Sequence, residues 1–306
     1  MKAYLDIVRR VLETGERKKN RTGVDAITVA GAMFEHDMAS GFPLLTTKRV
    51  PFKPVRVELE FFLKGFTDKR WLQERGCSIW DSWASPSKVP YGHDEATQAK
   101  MREEPDLGPI YGRQWRSFGA EYRGCDPDHL VYDHIMGPRR PRQYGVDQLA
   151  NLVETLKRDP SDRRMIVSAW NPAQLHEMAL PPCHYAFQVT VINGKLNLLW
   201  NQRSVDTMVG LPFNVASYGL LLHLLAKGAG LAEGKLVGFL ADTHVYVNHV
   251  EGAQEQLRRE PTRLPSLETI SVSSKSSDFS IFDWTHTVTK AVGYDPAEEI
   301  KFTVAV

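Results

Sequence analysis

The sequence predicts a soluble α/β protein, and a β-hairpin together with three apolar helices indicates this fold class. Two β-rich runs, 184–192 and 195–204, flank Asn193-Gly194, the preferred dipeptide of a type I′ hairpin turn. Three further segments are predicted to be helices: 4–14, 55–65 and 216–230. Their apolar residues either recur at helical spacing or fill most of the segment, and glycine marks the end of each. Such a mixture is typical of domains in which helices pack on a sheet.

Other apolar runs predict the remaining strands. Residues 25–34 and 163–171 have the composition of strands, and a third strand begins at 236. This last segment continues to 252 through a polar, histidine-bearing stretch. No repeat and no linker divides the chain, so residues 1–306 are expected to form one domain.

Two polar stretches are interpreted as insertions into this domain. Residues 85–105 and 122–144 are rich in proline and charge and show little apolar periodicity. The second stretch contains the basic run 138–142, which is either a docking patch or a solvated loop; the solvated loop is favoured.

Composition excludes several classes of protein. With 38 Lys+Arg against 37 Asp+Glu the net charge is +1, which gives no case for a dedicated nucleic-acid binder. No apolar run reaches the ~18 residues of a membrane span. Cys77, Cys125 and Cys183 are too few and too scattered for a disulfide framework or a zinc site, so no metal and a reducing compartment, the cytoplasm, are expected.

The hairpin brings a thiol close to a guanidinium. With a two-residue loop at 193–194, Cys183 lies opposite Ser204 and one residue from Arg203. Simple pleating directs Arg203 to the other face, so a bulge or a long side-chain reach is required. A neighbouring cation favours the thiolate, which makes Cys183 a candidate nucleophile; the alternative is an inert core cysteine. Arg203 itself is suited either to a phosphate or to an ion pair with Asp206.

Other polar residues are candidates for acid–base chemistry and for binding. Glu58 lies in an apolar segment and is either a buried general acid or base or a helix-surface glutamate. His244 and Tyr246 alternate along a strand and share one face, a pattern that suits hydrogen bonding better than metal ligation. Arg21 and the pair Arg163-Arg164 are further anion-binding candidates, although each alone is more often a surface charge.

Taken together, these segments resemble the thymidylate synthase family. The resemblance covers nearly the whole chain apart from the two insertions. Besides the helix with Glu58, it is carried in the family's order by NRTG (20–23), GFPLLTTKR (41–49), IWDSW (79–83), LGPIYGRQWR (107–116), DRRMIVSAWNP (162–172), ALPPCH (179–184), QRSVD (202–206), LPFNVASY (211–218), DTHVYVNH (242–249) and the final VAV.

The resemblance implies a large mixed sheet packed by helices, a homodimer formed through that sheet, and a folate-dependent reaction. The implied substrates are dUMP and 5,10-methylenetetrahydrofolate, and the implied nucleophile is Cys183, which attacks C6 of the pyrimidine. Glu58 would relay protons, Tyr111 would assist loss of the C5 proton, and the amide of Asn214 would bind O4 and N3 of uracil. Asparagine at 214 favours dUMP, because relatives that use cytosine have aspartate there.

The resemblance also assigns the remaining site residues. His184 and Asp206 complete the catalytic set. The phosphate would be held by Arg21, Arg203 and Ser204, with Arg163 and Arg164 contributed by the partner subunit, and the sugar by His244 and Tyr246. Asp206 would hydrogen-bond the pterin, and the folate would pack against Ile79, Trp80, Trp83, Leu180, Gly210 and Phe213, with Val304 and Ala305 in the closing tail.

Some positions depart from the family pattern without removing a catalytic group. Leu240 and Ala241 replace glycines, and the segment near 297–299 is altered. Glu60 is also unusual; it either orders an extra water near Glu58 or faces solvent on the same helix.

The reaction has three possible outcomes. A synthase adds hydride to the exocyclic methylene intermediate, whereas a hydroxymethylase adds water. Trp80, Leu180 and the tail are the expected shields against water, and their presence favours the synthase. The third hypothesis is a nucleotide-binding relative that has lost turnover.

Overall fold

The structure, a computed structural model, describes residues 1–20, 22–126, 145–270 and 279–303. Its helices are α1 (Lys2–Thr14), α2 (Phe52–Lys64), α3 (Lys69–Gln73), α4 (Glu95–Glu103), α5 (Tyr111–Ser117), α6 (Gln148–Arg158), α7 (Gly210–Ala229) and α8 (Val250–Leu257). Its strands are β1 (Glu16–Lys18), β2 (Ala26–Asp37), β3 (Ile166–Ser168), β4 (His184–Ile192), β5 (Lys195–Asp206), β6 (Ala232–Tyr246), β7 (Ser266–Thr269) and β8 (Thr289–Val292).

A six-stranded mixed sheet in the order β1-β2-β6-β5-β4-β3 forms the centre of the fold. Strands β5 and β6 are parallel, and the other neighbours in this sheet are antiparallel. Strands β7 and β8 form a separate antiparallel pair. The predicted α/β class and large mixed sheet are therefore confirmed.

One face of the sheet forms the core with α7. This helix has buried residues on all sides, from Leu211 to Ala226, as expected of a helix enclosed by other elements. On the sheet, Phe34, Phe187 and Trp200 are fully buried on the same side. Helix α2 contributes a second buried surface and ends at Gly65, whose φ of 72° is the left-handed conformation of a helix C-cap.

The opposite face of the sheet carries exposed apolar side chains. Met33 and Phe239 are directly paired across β2 and β6, and they are 58% and 44% exposed. Ile166 and Ile192 lie on the same face, because Ile166 pairs with Gln188 and residues four apart along β4 share a side. The described residues thus leave an apolar sheet surface uncovered, which is a feature of interfaces.

Two of the predicted elements differ clearly in extent from the structure. The strand predicted at 163–171 is only Ile166–Ser168, because it is an edge strand with a single partner, β4. The helix predicted from 216 begins at Gly210, directly after a turn in which Asp206 Oδ1 accepts the backbone N–H groups of Met208 and Val209.

The first predicted insertion contains a helix. Helix α4 lies within 85–105, is capped by the side chain of Asp94, and buries Met101. Of the second insertion only 122–126 is described, so the basic run 138–142 lies outside the described residues. Among the described helices none combines the length and the apolar character needed to cross a membrane.

Gly238 gives a stability prediction. A Cβ at this position would lie 2.4 Å from Cζ2 of Trp200, which is itself fully buried. We expect Gly238→Ala to lower the free energy of unfolding by about 1–3 kcal/mol through overpacking, measured by urea denaturation. Gly228→Ala is the control, because its Cβ would meet Phe279 at an ordinary 3.6 Å; equal losses in the two variants would contradict the argument.

Candidate active site

A β-bulge at Tyr185 aligns Cys183 with Arg203. The hairpin turn has left-handed φ values at Asn193 and Gly194, 51° and 72°, as a type I′ turn requires. From this turn the pairing of β4 with β5 is regular as far as Ala186, which pairs with Asn201. The next pair is His184 with Gln202, so Tyr185 is the extra residue of the bulge. Of the two alternatives drawn from the sequence, a bulge and a long side-chain reach, the structure has the bulge. The predicted pairing of Cys183 with Ser204 is wrong by one residue, because the backbone N–H of Arg203 donates to the carbonyl of Cys183 at 2.8 Å.

The guanidinium of Arg203 lies beside the thiol and is held in place by backbone carbonyls. Its Nη2 is 3.9 Å from Sγ of Cys183 and 2.7 Å from the carbonyl oxygen of Pro181. Its Nε donates to the carbonyl of Pro182 at 2.9 Å. A fixed cation at this distance stabilises a thiolate, the nucleophilic form of cysteine. The ion pair with Asp206 considered above does not occur among the ion pairs of the described residues.

Two tyrosines and a histidine pack behind the cysteine. The backbone N–H of Cys183 donates to the hydroxyl of Tyr111 at 2.9 Å. The ring of Tyr111 stacks on His184 at 4.4 Å, and Nδ1 of His184 is 2.9 Å from the hydroxyl of Tyr218. Burial lowers the pKa of His184 to about 3, so the imidazole is neutral at neutral pH. His184 therefore acts as a hydrogen-bonding and stacking group and not as a cation.

Glu58 has the properties of an acid–base residue. It lies on α2, and its Oε1 accepts a hydrogen bond from Nε1 of Trp80 at 2.8 Å. Burial raises the pKa of Glu58 to about 7, although the hydrogen bond from Trp80 opposes this shift. A carboxyl group with this pKa can both give and take a proton near neutral pH. The alternative of an ordinary helix-surface glutamate does not fit this environment.

Glu60 fits neither of the two roles expected for it. Its carboxylate is buried and not solvent-facing, because Oε2 accepts hydrogen bonds from the backbone N–H of His286 and lies near its Nδ1, both at 2.7 Å. Two residues along a helix differ in direction by about 200°, so Glu60 is directed away from Glu58. The contact with His286 gives Glu60 a role in anchoring the 286–289 segment to α2.

A cleft in front of Cys183 brings several predicted residues together. Leu180, Cys183, Arg203, Ser204, His244 and Tyr246 line it, together with Lys18, Asn20, Thr22, Ala26, Thr28 and Asp242. Arg203 and Lys18 contribute positive charge, and the serine, threonine and asparagine side chains contribute hydrogen-bonding groups. Such a cleft suits a small anionic ligand with polar substituents.

Asp242 and Lys18 belong to this cleft although sequence reasoning did not single them out. Nδ1 of His244 is 3.0 Å from Oδ1 of Asp242, and Nζ of Lys18 lies 2.5 Å from Oδ2. Burial alone would raise the pKa of Asp242, but hydrogen bonds from Lys18 and His244 hold it below its ordinary value. The signal was the period of the strand, because Asp242 alternates with His244 and so shares its face.

Asn214 and its neighbour Gln202 form the amide part of the site. Asn214 lies in the first turns of α7, and its Oδ1 accepts a hydrogen bond from Nε2 of Gln202 at 3.1 Å. Gln202 is only 2% exposed, and sequence reasoning missed it. Its position directly before Arg203 in a strand was the one available signal.

The residues expected to contact folate differ in exposure and in their neighbours. Trp80 is nearly buried and meets the ring of Tyr111 edge-on at 6.0 Å, whereas Ile79 is 40% exposed. Trp83 stacks on Tyr91 of the first insertion. Phe213 and Gly210 lie in the first turn of α7 beside Asn214. Asp206 uses Oδ1 to accept the backbone N–H groups of the turn that precedes that helix, and its Oδ2 accepts no hydrogen bond from the described residues.

Two predicted residues, Arg163 and Arg164, do not meet the others in this chain. Arg163 is exposed and Arg164 is 88% exposed, paired with Asp162 at the sheet edge, and neither lines the cleft. Arg21, Val304 and Ala305 lie outside the described residues. Within the described ranges, no group of three or more His, Cys, Asp or Glu side chains could hold a metal ion.

Comparison with known proteins agrees with this geometry. A family model described as thymidylate synthase matches residues 2–306. The chain is similar to a bifunctional dihydrofolate reductase-thymidylate synthase of Paramecium tetraurelia, with 40% identity over 303 residues. This alignment covers 99% of the chain and 61% of the relative, so the chain spans about three fifths of the relative's length.

Proposed function

Since the chain belongs to the thymidylate synthase family, a family of one-carbon transferases, we propose that it converts dUMP and 5,10-methylenetetrahydrofolate into dTMP and dihydrofolate. The observation that carries this proposal is the thiol of Cys183 held 3.9 Å from Nη2 of Arg203 at the wall of a cationic cleft. The same cleft offers groups of the right chemistry for a phosphate and a sugar, and the amide of Asn214 is linked to Ser204 of the cleft through Gln202.

The reaction begins with covalent catalysis by Cys183. The thiolate adds to C6 of the uracil ring, the C5–C6 double bond opens, and the electron pair moves onto O4 as an enolate that is nucleophilic at C5. Bound methylenetetrahydrofolate supplies the one-carbon unit and, in a synthase, the hydride. Loss of the C5 proton and, at the end, expulsion of the Cys183 thiolate from C6 restore the ring double bond and regenerate the nucleophile.

Protons are moved by Glu58 and Tyr111. The pKa of Glu58, about 7, suits proton exchange with the substrate side of the site. Burial raises the pKa of the Tyr111 phenol well above its ordinary value, so this hydroxyl keeps its proton and assists through hydrogen bonding. It already accepts the backbone N–H of Cys183, which ties it to the nucleophile.

Binding groups in the cleft fit the remaining parts of the nucleotide. Arg203 and Ser204 would bind the phosphate from this subunit, and Arg21 would join them. His244 and Tyr246 would bind the sugar hydroxyl, with the ring of His244 oriented by Asp242.

The folate side is compatible with a planar ring and a hydrogen-bonding edge. Ile79, Trp80, Leu180 and Phe213 provide apolar surface, and Oδ2 of Asp206 is available within the described part of the chain to accept an N–H of the pterin. Trp80 and Leu180 would also limit the access of water.

Base selection gives a further prediction. Asn214 can donate to O4 of uracil through Nδ2 and accept from N3–H, whereas an aspartate can only accept when ionised. We expect Asn214→Asp to shift the ratio of kcat/KM for dUMP over dCMP by at least about 100-fold toward dCMP, because unmatched buried polar groups discriminate strongly. Steady-state assays with both nucleotides measure this; an unchanged ratio would exclude amide readout by Asn214.

The experiment that tests the proposed function is identification of the product. Wild-type protein is incubated with dUMP and 5,10-methylenetetrahydrofolate, and the nucleotide and folate are analysed by mass spectrometry. The proposal requires dTMP with dihydrofolate. Formation of 5-hydroxymethyl-dUMP with tetrahydrofolate would establish the hydroxymethylase alternative. Recovery of unchanged dUMP would favour the third hypothesis, a nucleotide-binding relative that has lost turnover.

We also propose that residues 1–306 form one catalytic domain that works as a homodimer in the cytoplasm. Support for the dimer comes from the exposed apolar sheet face with Met33 and Phe239, and from Arg163 and Arg164, which are exposed at the sheet edge and do not line their own cleft. Sedimentation equilibrium measures the mass. Met33→Lys on the apolar face should weaken association; a wild-type monomer with full activity would contradict the shared phosphate site.

A further inference from the structure

A buried tryptophan lies directly behind the amide part of the site. Trp200 on β5 is fully buried, and its ring stacks on Tyr218 with a centroid distance of 5.3 Å and an interplanar angle of 9°. Its Nε1 donates a hydrogen bond to Oε1 of Gln202 at 3.1 Å. Core packing alone would be satisfied by any apolar side chain of similar size, whereas the indole adds one directed donor.

This donor fixes the orientation of Gln202. The oxygen end of the amide faces the indole N–H, so the nitrogen end faces Oδ1 of Asn214 and the carbonyl oxygen of Ser204, both at 3.1 Å. Turning the amide by 180° would bring Nε2 against the indole N–H, donor against donor, and Oε1 against two acceptors. Because Gln202 is buried, no bulk water would relieve these contacts.

Gln202 in turn fixes the orientation of Asn214. Since Oδ1 of Asn214 accepts from Gln202, its Nδ2 is the end that remains to donate to a ligand. A donor at this place matches O4 of uracil and opposes the amino group of cytosine. We propose that Trp200 is a positioning residue that, through Gln202, sets the amide of Asn214 and thereby selects a uracil base over a cytosine base.

This inference rests on the proposed function of Asn214 as the group that reads the base. The inference goes beyond that function, because it assigns the choice of base to a side chain that touches no substrate. It also explains a cost in the fold, because the indole leaves no room for a Cβ at Gly238.

Two matched tryptophan variants test the inference. Trp200→Phe keeps an aromatic ring against Tyr218 but removes the N–H donor. Trp284→Phe is the control, because Trp284 is also buried and its Nε1 also donates to a buried oxygen, Oγ1 of Thr289 at 2.8 Å. The affinities of the full-length proteins for dUMP and dCMP are measured by isothermal titration calorimetry, and unfolding is measured in urea.

The ratio of the two dissociation constants is the decisive readout. We expect Trp200→Phe to reduce the preference for dUMP by about five- to tenfold, the effect of one neutral hydrogen bond. Trp284→Phe should lose stability but keep the wild-type ratio. A ratio in Trp200→Phe equal to that in Trp284→Phe would overturn the inference, because Trp200 would then act through packing alone.

A second variant acts from the other side of the same hydrogen bond. Gln202→Glu retains an acceptor for the indole but removes the donor to Asn214, so the amide of Asn214 should turn and present Oδ1 to the base. We expect its affinity for dCMP to rise relative to dUMP, and an unchanged ratio here would also overturn the inference. Failure of the proposed function is distinguishable, since wild-type protein would then fail to prefer or convert dUMP at all.

Discussion

Replacement of Cys183 by alanine is expected to abolish folate-dependent release of tritium from dUMP labelled at C5, with a loss of at least about 10⁴-fold. The loss is this large because C5 becomes nucleophilic only after the thiolate has added to C6. The neighbours of Cys183, Tyr111 and His184, offer no anionic nucleophile in its place, because the phenol keeps its proton and the imidazole is neutral.

Cys125→Ala provides the matched control. Cys125 is a free, partly buried cysteine outside the cleft, and burial raises its pKa to about 12, so it is not a nucleophile at neutral pH. This variant should retain wild-type tritium release. Substantial release by Cys183→Ala would show that another residue, or no residue, forms the covalent bond.

Replacement of Glu58 by glutamine is expected to lower kcat by about 10²–10⁴-fold, the usual contribution of a general acid or base. Glutamine keeps the shape of the side chain and can still accept from the indole of Trp80, but it cannot exchange a proton. Binding of dUMP should change little, since Glu58 does not line the nucleotide cleft. Steady-state kinetics and calorimetry separate the two effects; an unchanged kcat would exclude Glu58 from proton transfer.

The same variant should change the pH dependence of stability. The folded-state pKa of Glu58 is raised from 4.5 to about 7, so between these values the native protein binds more protons than the unfolded chain. The free energy of unfolding of the wild type should therefore fall between pH 4.5 and 7 relative to Glu58→Gln, by about 1–3 kcal/mol. Urea denaturation at pH 5 and pH 8 measures this difference.

Glu60→Gln is the control for both measurements. Glu60 lies on the same helix but is bound to His286, so its loss should lower stability without an effect on proton transfer. If Glu60→Gln lowered kcat as much as Glu58→Gln does, the effect of Glu58 would have to be attributed to distortion of α2.

The parts of the site that could be predicted from sequence are those fixed by local geometry. The turn at Asn193-Gly194 sets a register by backbone conformation alone, and this register led to the expectation of a bulge or a long side-chain reach near Cys183. The apolar surroundings of Glu58 in the sequence likewise indicated burial, although they did not identify Trp80 as its hydrogen-bond donor. In both cases the decisive information lay within about twenty residues of one segment.

The remaining features depend on contacts between distant segments. Lys18 meets Asp242 across 224 residues, and Glu60 meets His286 across 226. No periodicity in either segment specifies its partner, which is why the burial of Glu60 against His286 was not among the roles expected for it. Arg163 and Arg164 are a further case, because their proposed ligand belongs to another subunit.

The bulge at Tyr185 has a consequence for how the hairpin can change in length. On the turn side of Tyr185, opposite residues alternate regularly between the core and the outer sheet face; beyond it, Cys183 and Arg203 project into one cleft. Insertion or loss of a single residue between turn and thiol would exchange inside for outside along the whole arm. Each strand of the hairpin can therefore gain or lose residues only in even numbers, whereas most surface loops can change in length by any number of residues.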